Sequence, residues 1–243
     1  ITKLSVPEKY EVLTMPLAIY QEGKIHPVDF KEYLKLSARL DDKYKPIFYK
    51  ILIKGLYFTS DLPLKDLVHE VDILSKQVDD IYKPYLCQGI GALVVARDPD
   101  DTSGYKDGAS FIDEKYLAYY YRGLSESVYL EDIVNYLKRF KSCMGWMDKQ
   151  YQPFYLEGVG EALAKIGVSF VIERVPWDSD GELISYVLKG LEPDQRKYVL
   201  EGMGKSLSYF YSLNTKKDIQ QFINTFEAEY RIVLLKAMES NLK

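Results

Sequence analysis

The sequence predicts an all-α protein, an array of five to six helical hairpins of the α-solenoid or superhelical-repeat kind. Three observations lead there. A short phrase recurs as Gly158-Val-Gly160-Glu-Ala-Leu163, Gly202-Met-Gly204-Lys-Ser-Leu207 and Gly89-Ile-Gly91-Ala-Leu-Val94, with a looser copy at Gly123-Leu-Ser125-Glu-Ser-Val128. The phrase stands at a fixed offset from an upstream anchor, and the six anchors are Tyr44, Tyr82, Tyr116, Tyr151, Gln195 and Tyr230. Their period is about 35 residues, the sequence mark of a repeat architecture, with one longer step of 44 between Tyr151 and Gln195. Finally, apolar residues after each anchor recur at helical steps of three and four.

The elements follow in order. Amphipathic first helices are expected over 30–40, 64–78, 133–144, 183–191 and 219–226. Second helices are expected near 44–58, 82–96, 116–129, 151–166, 195–211 and 230–243. Pro46, Pro84 and Pro153 stand two residues after their anchors, in the first helical turn, where proline forfeits no hydrogen bond. Eight residues after the anchors come Leu52, Ile90, Leu124, Val159, Met203 and Met238, the centre of an apolar stripe. One residue earlier stand Ile51, Gly89, Gly123, Gly158, Gly202 and Ala237. A glycine inside a helix costs about 1 kcal/mol relative to alanine. Its repeated use predicts close approach of a neighbouring helix. The second small residue of the phrase (Gly91, Ser125, Gly160, Gly204) points elsewhere on the helix, as a helix between two neighbours requires. Irregular loops are expected at 97–113 and 167–181, so the third hairpin lacks a clear first helix. An extended segment is expected at 168–175, and a turn and helix cap at Asp178-Ser-Asp180-Gly181.

One domain is expected over residues 1–243, with 47% hydrophobic residues to fill its core. The 22 tyrosines are expected in half-buried helix seams. Cys87 and Cys143 are expected as buried free thiols. A net charge of −4 argues against nucleic-acid binding. No apolar run approaches the ~18 residues of a membrane span. The chain begins at Ile1 without Met, which is compatible with a removed leader, so the location is left open with the cytoplasm slightly favoured.

Catalytic and cofactor signatures fail on inspection. Gly202-Met-Gly204-Lys205-Ser206 has Val199 where a phosphate loop needs its first glycine. The acidic stretch from Asp98 to Gly108 has Ser103 where a calcium loop needs glycine. His26 and His69 have no companions for a zinc set. No metal and no cofactor are expected, and no catalytic residue is assigned.

The helical hairpin and the period resemble tetratricopeptide-type arrays in general architecture. The resemblance stops there, because Gly-x-Gly falls late in the second helix and the family's own signature is not present. It implies a stacked array that presents surface to proteins or peptides. The expected function is therefore a non-enzymatic interaction scaffold or adaptor with a protein or peptide partner. The alternative is a carbohydrate-binding protein or hydrolase that uses loop carboxylates and aromatic side chains. The expected partner-binding strip lies six and ten residues after the anchors, where steps of four align side chains on one helical face. It comprises Lys50, Lys54, Gln88, Arg122, Glu126, Glu157, Glu161, Glu201 and Lys205, passes from basic to acidic along the chain, and is expected to face water.

Overall fold

The computed structural model describes residues 28–57, 62–98, 102–125, 133–173, 180–211 and 216–242. Among them are twelve α-helices and no strand, so the protein is all-helical. The chain divides into two compact units, Ile1–Leu124 and Ser125–Lys243. The amino-terminal unit carries α1 (Val28–Ser37), α2 (Lys45–Tyr57), α3 (Leu64–Ser75), α4 (Lys83–Arg97), α5 (Thr102–Ala109) and α6 (Leu117–Ser125), which closes one residue past its boundary. The carboxy-terminal unit carries α7 (Ile133–Trp146), α8 (Gln152–Glu173), α9 (Asp180–Lys189), α10 (Pro193–Tyr211), α11 (Lys216–Asn224) and α12 (Ala228–Leu242).

Each odd-numbered helix turns into the next even-numbered one through a tight connection with its own sequence signature. Three residues before every anchor stands an acid: Asp41, Asp79, Asp113, Asp148, Glu192 and Glu227. The amide N–H groups of Tyr44, Tyr82, Tyr116 and Tyr151 donate to the carbonyls of the first four, at 2.8–2.9 Å. In the last two connections the donors are Arg196 and Arg231, one residue later, to Glu192 and Glu227. Negative charge at this place also favours the positive end of the coming helix dipole. Before each acid comes an apolar residue, and Leu40, Val78, Ile112, Met147 and Leu191 are all buried there. This buried residue anchors the turn while the acid opens the helix.

Even-numbered helices pack on one another: α4 against α2 and α6, and α10 against α8 and α12. The small residues of the recurrent phrase lie at these crossings. A Cβ on Gly89 would come within 2.6 Å of the Lys50 carbonyl and 2.8 Å of Ile53. One on Gly123 would strike the Gln88 carbonyl, and one on Gly202 the Glu157 carbonyl. The other glycine of the phrase faces the following helix: Gly91 meets the Tyr120 carbonyl, Gly160 the Val199 carbonyl and Gly204 the Leu234 carbonyl. The two crossings in each unit use equivalent positions. At each crossing the glycine lies close to a backbone carbonyl of its neighbour, joined by Ile53 at Gly89 and by the Ala237 methyl at Gly204. Helix α4, packed between two neighbours, is covered on several sides and buries every residue from Gln88 to Val95, whereas α12 buries only Tyr230, Leu234, Ala237 and Met238. Likewise α3 buries Leu67, Val71 and Ser75 on one face.

Several sequence expectations need correction. The loop expected at 97–113 contains α5, so the third hairpin does have a first helix. Its turn-forming composition is outweighed by tertiary burial: Tyr105 and Gly108 point inward, and Gly108 lies against Leu64 and the Tyr120 ring. Tyr120 Oη in turn donates to the Tyr105 carbonyl at 2.9 Å within the core. The extended segment expected at 168–175 is helical through Glu173, where α8 ends. Strand propensity is a weak local preference, and adding residues to a formed helix is easier than nucleating a new element. Residues 174–179 lie outside the described residues, while α9 begins at Asp180. The third correction concerns the expected solvated strip and is taken up with the candidate site. Tyrosine departs from the half-buried placement expected, since Tyr33, Tyr44, Tyr49, Tyr82, Tyr120 and Tyr155 are buried outright while Tyr186 is exposed.

Candidate functional site

The strip does not form one solvated face. Lys50, Gln88 and Glu161 are only 9%, 2% and 5% exposed. The close crossing explains this. The carbonyls of Lys50, Gln88 and Glu157 receive Gly89, Gly123 and Gly202 of the next even-numbered helix. Side chains beside these carbonyls are therefore held in the seam. Glu157 and Lys205 join across the α8–α10 seam, with Nζ 2.7 Å from Oε2 and side chains 13% and 32% exposed. Lys197 reaches Glu201 at 3.9 Å along α10. The expected acidic cluster is thus partly neutralised by neighbouring lysines. Arg122 is half-buried. The Lys54 side chain and all of Glu126 lie outside what is described.

The turns carry a second polar system that periodicity alone does not reveal. Tyr82 Oη donates to Asp42 of the preceding turn at 3.2 Å, and its ring packs on Tyr49 at 5.3 Å between centroids. Lys45 holds Asp42 at 2.7 Å and lies 5.5 Å from the Tyr82 ring centre. The carboxy-terminal unit repeats the device: Arg196 donates to Tyr230 Oη at 2.8 Å and covers that ring at 5.5 Å. A cation immediately after one anchor thus engages the next anchor's tyrosine. Lys45 beside Asp42 lowers that carboxyl from its usual value, chiefly through their hydrogen bond. The sequence signal was present, because Lys45, Lys83, Arg196 and Arg231 each follow an anchor by one residue, but only the spatial pairing gives it meaning.

A half-open cleft of about 480 Å³ lies in the amino-terminal unit among α3, the start of α4 and the turn before α6. Its floor is aliphatic, built from Val71, Leu86, Ile90 and Ile112 with Cys87 beside them. Burial, reinforced by Asp113 and Asp72, pushes the Cys87 thiol up to about 12, so it remains neutral at physiological pH. Lys65, His69, Lys76, Lys83 and Lys115 stand around the floor, against two carboxylates, Asp72 and Asp113. Lys83 is held by Asp80 at 2.6 Å, and Lys115 by Asp113 at 3.1 Å. Lys76 lies 3.8 Å from Asp72.

Among the described residues, no group of three or more His, Cys, Asp or Glu side chains could hold a metal ion. No described helix is long and apolar enough to cross a membrane. Comparison with protein-family models, with curated proteins and with solved structures finds no match. Fold and surface together define an all-α protein with glycine-mediated helix crossings and a lysine-rimmed cleft.

Proposed function

We propose that this chain is a non-enzymatic interaction scaffold, a helical-repeat adaptor whose stacked hairpins present a surface to a protein or peptide partner. The observation that carries the reading is the recurrence of one crossing in both units. Gly123 on the Gln88 carbonyl and Gly202 on the Glu157 carbonyl occupy equivalent places in the period. A chain that repeats an interface at fixed spacing builds extended surface rather than one enclosed pocket. Within this reading, Glu201 and Lys205 are the more accessible members of the strip, and the buried Lys50, Gln88 and Glu161 shape the seam.

Affinity isolation of the intact protein from its native source, followed by cross-linking and mass spectrometry, tests the proposal. A reproducible protein partner with cross-links to these helices is expected. Recovery of a bound sugar or small molecule with no protein partner contradicts it.

A further inference from the structure

We propose that the cleft of the amino-terminal unit docks an acidic peptide segment, with one apolar side chain on the aliphatic floor and its carboxylates toward Lys65, His69, Lys76 and Lys115. The inference rests on the scaffold reading and narrows it to one site and one ligand chemistry. Three features of the cleft lead to this occupant.

Its shape comes from the placement of α5, which approaches α3 at the first turn, where Gly108 lies against Leu64. Farther along, Lys65, Val68, His69, Asp72 and Lys76 line the cleft from one side of α3. The opposite wall is the turn that holds Phe111, Ile112 and Asp113. At about 480 Å³ the space suits an anchoring side chain and adjoining backbone, within the range of about 300–1,000 Å³ usual for small-ligand pockets.

Its charge opposes that of the chain. The protein carries a net −4, yet four lysines surround this floor against three aspartates, Asp72, Asp80 and Asp113, that pair with Lys76, Lys83 and Lys115. Lys65 makes no ion pair among the described residues, and the Lys76–Asp72 pair is long and exposed, with side chains 70% and 65% accessible. Exposed pairs of that kind contribute little and exchange readily for a better-placed carboxylate. A rim of this sign raises the encounter rate with an acidic segment and selects against a basic one.

Its floor suits an apolar anchor. Val71, Leu86, Ile90 and Ile112 are aliphatic and buried, with Phe111 and Tyr116 at the edge of the cleft, and a chain of net charge −4 is a poor match for a nucleic acid. An aliphatic floor seats a leucine- or isoleucine-sized side chain, as helix and peptide anchors do in apolar grooves.

The test is fluorescence anisotropy with the intact protein and a dye-labelled peptide in which glutamates and aspartates flank a single leucine. The comparators are the same peptide with glycine for leucine, a basic peptide of equal length, and a single-stranded oligonucleotide. The variant is K65E/K76E, whose two sites are exposed on and just after α3, and K236E on exposed α12 is the control. Circular dichroism verifies that helix content is retained. The acidic leucine peptide is expected to bind with an affinity that falls with salt, and about tenfold or more in K65E/K76E. K236E should match the parent, and glycine for leucine should weaken binding several-fold. Equal affinity in K65E/K76E overturns the proposal. So does tighter binding of the basic peptide or the oligonucleotide, or no measurable binding of the acidic peptide. A native protein partner retained by K65E/K76E, with the peptide inert, removes the cleft proposal and leaves the scaffold reading standing.

Discussion

Single residues carry their consequences through burial. Cys87 and Cys143 are free thiols. Burial is the main reason both are raised, Cys87 to about 12 and Cys143 to about 11. The nucleophile is the thiolate, so both should resist a disulfide reagent at pH 8 in the native protein and react after unfolding. Fast reaction of Cys143 in the native state contradicts its burial, and fast reaction of Cys87 contradicts the raised pKa of a thiol that is half-buried at the cleft. The linked pH effect has a definite sign. A thiol whose folded pKa lies above its ordinary 9.0 stabilises the fold fully below that pH. The contribution is lost as pH rises from about 9 through about 12 for Cys87. Denaturant midpoints measured across this interval should therefore fall. Free cysteines in apolar helical stretches were legible in the sequence, and Cys143 is buried as expected, whereas Cys87 is only half-buried at the cleft. The burial of Lys50 and Glu161 was not, since helical periodicity identifies a face without saying whether another helix covers it.

Elements are joined by a few polar links whose worth is measurable. The Glu157–Lys205 pair bridges α8 and α10 at 2.7 Å while partly shielded. A double-mutant cycle with Glu157→Gln and Lys205→Met should give a coupling of about 1 kcal/mol. Zero coupling makes the pair incidental. Arg196 does more, since it bonds both Tyr230 Oη and the Leu191 carbonyl and covers the tyrosine ring. Arg196→Ala should cost about 1–3 kcal/mol by removing charge-assisted bonds, and should raise amide exchange in α12 more than in α8. Uniform exchange across both helices contradicts a local role in docking α12. At this scale local and tertiary preferences diverge, and there the sequence misleads. The helix α5 was hidden by turn-forming residues whose burial against Tyr120 and Leu64 depends on partners far along the chain. The end of α8 was hidden by β-branched residues that a continuing helix tolerates. The cleft was hidden for the same reason as α5, because its walls come from α3, α4 and the turn before α6.

For the whole molecule the legible part was the period. The recurrent phrase predicted which residues would meet a neighbouring helix, and Gly89, Gly91, Gly123, Gly160, Gly202 and Gly204 each do so within their own unit. The acid before each anchor carried an equally regular signal at the turns. The direct test of a recurrent, backbone-close crossing compares glycines that meet a neighbour with one that does not. In Gly123→Ala and Gly202→Ala the added methyl strikes the Gln88 or Glu157 carbonyl, while Gly145 in α7 has nothing within 4 Å of such a methyl. Urea unfolding of the three variants against the parent is the measurement. Gly123→Ala and Gly202→Ala should each lose about 2–3 kcal/mol, while Gly145→Ala gains about 0.5–1 kcal/mol from helix propensity. Equal, stabilising effects at all three sites would contradict the close crossings and, with them, the repeat architecture proposed here as the basis of the scaffold reading.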